Sequence, residues 1–83
     1  TRVDITDDCV QACRDALAQG RNLEQGPCLL DPAEENRDWV CDVAHSPRQD
    51  IDNEPENQCS SYRSGAAAHF VEVAPDCRFI RTG

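Results

Sequence analysis

The sequence predicts a small α+β domain, rich in disulfides. An N-terminal amphipathic helix is stapled to a roughly three-stranded antiparallel sheet that ends in a C-terminal β-hairpin. Three observations carry this. Thr6–Gly20 holds one helical apolar stripe, three later segments alternate with period two, and six cysteines run from Cys9 to Cys77 in only 83 residues. One domain spanning residues 1–83 is expected, because a chain of this length supports a single modest core.

In TDDCVQACRDALAQG, at about 100° per residue, Cys9, Val10, Cys13, Ala16 and Leu17 share an arc of roughly 120°. Asp7, Asp8, Gln11, Arg14, Asp15 and Gln19 lie outside it. Thr6 suits the N-cap and Asp7 and Asp8 the positive end of the helix dipole. Ile5 and Val10 hold the two positions of a hydrophobic staple, and Gly20 is placed to close the helix in the left-handed conformation.

Gly26-Pro27 then punctuates a polar connector, and Leu29-Leu30 is a short apolar pair expected to tuck into the core. Asp31-Pro32-Ala33-Glu34 reads as a helix start of a single surface turn, with Asp as N-cap and Pro at the first position. Trp39–Ala44 alternates, with Trp39, Cys41 and Val43 on the side expected to be buried. His45–Gln58 holds two prolines and one lone Ile51, and is expected to be a long loop without regular structure.

Cys59–Tyr62 is expected to form one helical turn that Gly65 can end. His69–Val73 and Cys77–Arg81 are two further strands, joined at Ala74-Pro75-Asp76, where Pro presets φ and Asp can bond onward along its own backbone. His69 shares a strand side with Val71 and Val73 and is expected to pack or to sit at an edge, whereas His45 is expected in solvent at a strand end.

Four aromatics, no Met and many Ala and Val residues make a thin core, so cross-links must help to hold it. Cys9, Cys13, Cys28, Cys41, Cys59 and Cys77 are read as three disulfides, together worth about 6–12 kcal/mol. Six cysteines allow 15 pairings. Cys9 and Cys13 point the same way from one helix, which disfavours their joining and leaves 12. The helix is then bonded twice to the rest of the chain. Cys41 and Cys77 are open to cross-strand or sheet-to-helix bridges.

Disulfides imply a secreted, extracellular or cell-surface setting, and a chain without Met that begins at Thr1 fits removal of a signal peptide. No apolar run approaches the ~20 residues of a membrane span, so no membrane insertion is expected. Sixteen Asp and Glu stand against eight basic residues, all Arg, for a net charge of −8. That balance argues against nucleic acid and anionic membrane as partners, and favours a protein partner, self-association or a cation.

Asp50, Asp52 and Glu54 place carboxylates at alternate positions, the way a calcium loop begins. Pro55 and Ser61 then stand where an EF-hand needs Gly and a bidentate Glu, so only a weak, irregular calcium site is expected, and otherwise no cofactor. Zinc through cysteine is disfavoured, because no paired C-x2-C spacing occurs and oxidation removes the thiolates. Ser46 beside His45 is adjacency without the geometry of an activated nucleophile, and so small a domain has little room for a substrate pocket, so no enzyme is expected.

The expected function is protein–protein contact, as a structural or assembly subunit, through the His45–Gln58 loop and the C-terminal hairpin. An alternative reading is a protease-inhibitor-like module. In it a bridge between Cys41 and Cys59 would bracket the loop that presents His45, Pro47, Arg48 and Gln49, with Arg48 protruding.

Overall fold

The computed structural model describes residues 5–34, 36–45, 47, 49–53 and 57–83. The elements run α1 (Thr6–Ala18), β1 (Cys28–Leu30), β2 (Trp39–Val43), a 3-10 turn (Asp50–Asn53), α2 (Ser60–Arg63), β3 (His69–Val73) and β4 (Phe79–Thr82). One sheet in the order β1-β2-β3-β4 holds the four strands. Helix, hairpin and three-disulfide framework agree with the sequence reading. The last strand begins at Phe79, since Cys77 belongs to the turn, and a 3-10 turn lies in the loop expected to have no regular structure. The sheet departs from the reading in two further ways.

The sheet is mixed. β2 pairs with β3 in parallel, Trp39 opposite His69 through Val43 opposite Val73, while β1–β2 and β3–β4 are antiparallel. Parallel neighbours need a crossover of a dozen residues or more, and the chain from Ala44 to Ala68, with its 3-10 turn and α2, supplies it. Leu29-Leu30 belongs to a fourth strand: Cys28 lies opposite Asp42, and Leu30 opposite Cys41.

Ile5, rather than Thr6, occupies the cap position of α1. Ile5 is drawn into the core, and its carbonyl accepts the Cys9 N–H at 2.8 Å. The other end closes as expected. Gly20 takes φ +81°, its N–H donates to Leu17 O, and the Arg21 N–H donates to Ala16 O, the paired bonds of a Schellman ending.

Residues 31–34 form no helical turn; the Asp31-Pro32 peptide is cis and the segment bends. Asp31 caps a helix all the same, one far away in sequence. Its carboxylate accepts the N–H groups of Ser60 (3.0 Å) and Ser61 (2.8 Å) and the Ser60 hydroxyl (2.8 Å) at the start of α2.

α1 lies on one face of the sheet. Cys41, Val43, Val71 and Val73 turn toward Cys9, Cys13 and Ala16, with Ile5 and Leu23 closing the same cluster. The opposite face is partly covered as well, where Val40 packs with Cys59 and Ala67. Each of the four fully buried valines contributes roughly 1.5–3 kcal/mol of transfer free energy.

Three disulfides clamp this arrangement: Cys9–Cys41, Cys13–Cys77 and Cys28–Cys59. The helix is bonded to β2 and to the β3–β4 hairpin, and the third bridge ties β1 to the start of α2. Their sequence separations of 32, 64 and 31 correspond to about 4 kcal/mol each in loop-closure entropy when taken singly. Cys41 is not bridged to Cys59, so the disulfide bracket on which the inhibitor-like alternative drew does not exist.

Candidate functional site

The parallel strands end side by side at Val43 and Val73, and the Ala44 N–H still donates to Val73 O at 2.9 Å. Beyond that point the chain needs another anchor, and Asp52 provides it. Oδ2 of Asp52 accepts the backbone N–H groups of His45 (2.9 Å) and Gln49 (3.0 Å), and Oδ1 accepts from His45 Nδ1 at 2.9 Å. The 3-10 turn forms on the same frame, with the Asp52 N–H donating to Gln49 O at 3.0 Å. The Asp52 side chain is 1 % exposed and that of His45 10 %.

Burial pushes the Asp52 carboxyl up, but its bonds from the Gln49 and His45 backbone and from the His45 ring outweigh this and hold it below the ordinary carboxylate range. Asp52 is therefore an ionised, acceptor-only group, and the His45 nitrogen facing it carries the proton.

This buried carboxylate fits only because Gly26 stands over it. Gly26 has φ +71°, and a Cβ there would fall 2.8 Å from Asp52 Oδ1 and 2.9 Å from Val43 O. The Leu23–Gly26 turn, closed by the Gly26 N–H on Leu23 O, also carries Glu24 to the outer side of His45. Glu24 Oε2 lies 3.7 Å from His45 Nε2.

Across from this loop stands the β3–β4 hairpin turn. The Cys77 N–H donates to Ala74 O and the Ala74 N–H to Arg78 O, both at 2.8 Å, with Asp76 Oδ1 accepting the Arg78 N–H. Cys77 takes φ +71°, the left-handed third position of a three-residue hairpin loop. The Cys13–Cys77 bridge fastens it to α1. Loop and turn enclose an open cavity of about 310 Å³, with Glu24, His45, Pro47 and Gln49 on one side and Ala74, Pro75, Asp76 and Arg78 on the other.

No protein-family model, curated protein or solved structure matches the chain. Its chemistry must be read from its own residues.

The structure brings together the two surfaces that the sequence marked separately. His45, Pro47 and Gln49 line the cavity with the hairpin turn, but His45 is mostly covered rather than standing in solvent, because Asp52 draws it inward. Arg48, Ser46 and Glu54 lie outside the described residues. Of the carboxylates marked for calcium, Asp50 is exposed, and Asp52 turns inward onto the loop's own donors.

Among the described residues one group of three side chains has metal-ligand spacing, Cys28, Asp31 and Cys59, and its two sulfurs form a disulfide. Glu24 and Gly26 were not legible as site residues, Gly26 leaving only a local trace beside Pro27. Asp76 and Arg78 belong to the hairpin marked in the sequence, and Asp76 Oδ1 accepts the Arg78 N–H as its turn position implied.

A second cavity, about 220 Å³, opens on the α2 side of the sheet between Val40, Tyr62 and Phe70. Arg81 Nε donates to Glu72 at 2.7 Å, its guanidinium lies 5.4 Å over the Phe70 ring, and Glu72 in turn raises the Arg81 pKa. The loop–hairpin cavity is the better candidate, because the 45–49 and 74–78 segments marked in the sequence line it together.

Proposed function

We propose that this chain is a secreted domain that works by protein–protein contact, as a structural or assembly subunit, with the loop–hairpin cavity as its contact surface. The observation that supports the reading is the convergence at one concave site of the 45–49 loop and the 74–78 turn. One is fixed by a buried carboxylate and the other by a disulfide. Surfaces already rigid before contact lose less entropy on binding. The three disulfides fit an oxidising, extracellular setting, and among the described residues no helix is long and apolar enough to cross a membrane.

Sedimentation velocity of the oxidised domain, from micromolar to millimolar concentration, tests self-assembly. Salt is varied because a net charge of −8 opposes association of like copies. Concentration-dependent association that Arg78→Glu weakens supports the reading. A monomer under all conditions removes self-assembly and leaves a different protein as the partner.

One observation favours the inhibitor-like reading as an alternative. His45 and Gln49, either side of residues 46–48, hang from the same Asp52 carboxylate, so the loop has a preorganising anchor even without a Cys41–Cys59 bridge. Inhibition of a trypsin-like protease by the intact domain, lost in Arg48→Ala, is the expected result. Equal inhibition by both proteins would remove it.

A further inference from the structure

We propose that His45 and Glu24 form a binding site for a divalent transition-metal ion, zinc(II) being the one that fits best. Asp52 accepts the His45 and Gln49 backbone N–H groups through Oδ2 and faces the His45 ring through Oδ1, so a ring proton sits on Nδ1, 2.9 Å away. That leaves Nε2 as the ring nitrogen open to a metal in place of a proton, with Glu24 Oε2, a carboxylate acceptor, 3.7 Å away. That separation is too long for a hydrogen bond. Two electron-pair donors facing each other at the rim of a cavity are stabilised by a cation between them.

The spacing suits a metal. Zn–N of about 2.0–2.1 Å and Zn–O of about 2.0–2.2 Å, at angles from tetrahedral to trigonal, place the ligand atoms about 3.3–3.7 Å apart. The arrangement is also the one by which proteins orient a metal-bound histidine: a carboxylate on the far ring nitrogen fixes the tautomer and raises the basicity of the near one. Here that carboxylate is the buried Asp52. The mixed imidazole and carboxylate set selects zinc over calcium, which takes oxygen ligands.

Glu24 is 74 % exposed in its side chain and free to adjust, and the open cavity leaves the remaining coordination positions to water or to a ligand from a bound protein. The other histidine is oriented by a backbone carbonyl instead of a buried carboxylate, and it is more exposed. His69 Nε2 lies 3.5 Å from Asp38, but its ring is 46 % exposed and its Nδ1 faces a backbone carbonyl, Gly83 O.

The site is tested on the free oxidised domain, without any partner, so the result is independent of the contact reading. Zinc chloride is titrated at neutral pH in a non-chelating buffer, following the ring nitrogens of His45 and His69 by NMR and the binding heat by calorimetry. The expected result is saturable one-to-one binding that moves His45 Nε2, unchanged by His69→Asn and not reproduced by calcium chloride. Glu24→Gln, at an exposed position that leaves the fold intact, weakens binding by at least about tenfold, and Asp52→Asn, which puts the proton on Nε2, weakens it by a similar factor. An unmoved His45 at millimolar zinc overturns the proposal, as does binding that Glu24→Gln leaves unchanged.

Discussion

Replacing Asp52 separates a structural carboxylate from an ordinary surface acid. Asp52→Ala removes the acceptor for the backbone N–H of His45 and of Gln49 and for His45 Nδ1, bonds of 2.9–3.0 Å that number three among the described residues. Bonds to a charged group are worth about 1.5–3 kcal/mol each, but the loop lies near the surface and water can recover part of the loss, so the expected cost is about 3–5 kcal/mol. Against a net stability of about 5–15 kcal/mol, this is a large fraction.

Asp52→Asn keeps the shape. Its amide oxygen can take both backbone donors while its NH2 group meets His45 Nδ1, provided that the histidine moves its proton to Nε2. The expected cost is then only about 1–2 kcal/mol, the difference between a charged and a neutral acceptor. Urea unfolding of the oxidised proteins measures both values, and the ring nitrogen shifts of His45 report the tautomer. An Asp52→Ala protein within about 1 kcal/mol of the parent would refute this account, as would an Asn variant no better than the Ala variant.

Gly26→Ala should cost more than about 2 kcal/mol, because the left-handed backbone and the contact with Asp52 and Val43 O act together. Gly20→Ala, at φ +81° with nothing within 4 Å, should cost about 1 kcal/mol, and thermal melts of the pair test the contrast. Asp31→Ala should cost about 1 kcal/mol and lower amide protection at Ser60 and Ser61 in hydrogen exchange, with the rest of the domain unchanged.

Acid should destabilise the domain through Asp52 and Asp31. Burial pushes both carboxyls up, and hydrogen bonds more than reverse it, leaving each below its unfolded value. The unfolded chain therefore takes up protons first. Their contribution is complete above the ordinary carboxylate range and is lost as pH falls through the lowered native values. Tm measured against pH should drop over that window, less steeply in Asp52→Asn; an identical slope in the variant would exclude Asp52 as a source.

What could be read from the sequence was what local periodicity and turn chemistry encode. α1 and its Gly20 ending, β2, the His69–Val73 strand, the Pro75-Asp76 turn and the turn of helix after Cys59 all show in short windows. Strand order does not. Nothing in Trp39–Val43 or His69–Val73 says that they run in parallel; that follows from the length and course of the crossover between them. β1 is too short for a periodicity of its own, and its pairing with β2 makes it a strand.

The same distinction separates Asp31 and Asp52 from the other acids. Asp31 resembles a local helix cap but serves α2, whose first N–H groups come near only in the fold. Asp52 looks like Asp50 in sequence. It is buried because donors three and seven residues upstream turn toward it and because Gly26, remote in sequence, has no side chain to fill the space.

The pattern of cross-links decides what a single break in the chain can do. A protease that cuts anywhere between Cys41 and Cys59 makes one piece carrying Cys9, Cys13, Cys28 and Cys41 and another carrying Cys59 and Cys77. Those pieces stay joined twice, through Cys13–Cys77 and through Cys28–Cys59. The nicked molecule gains the mass of one water and comes apart only on reduction. The 45–58 segment can therefore meet a protease, and even be cleaved, without the domain shedding either half.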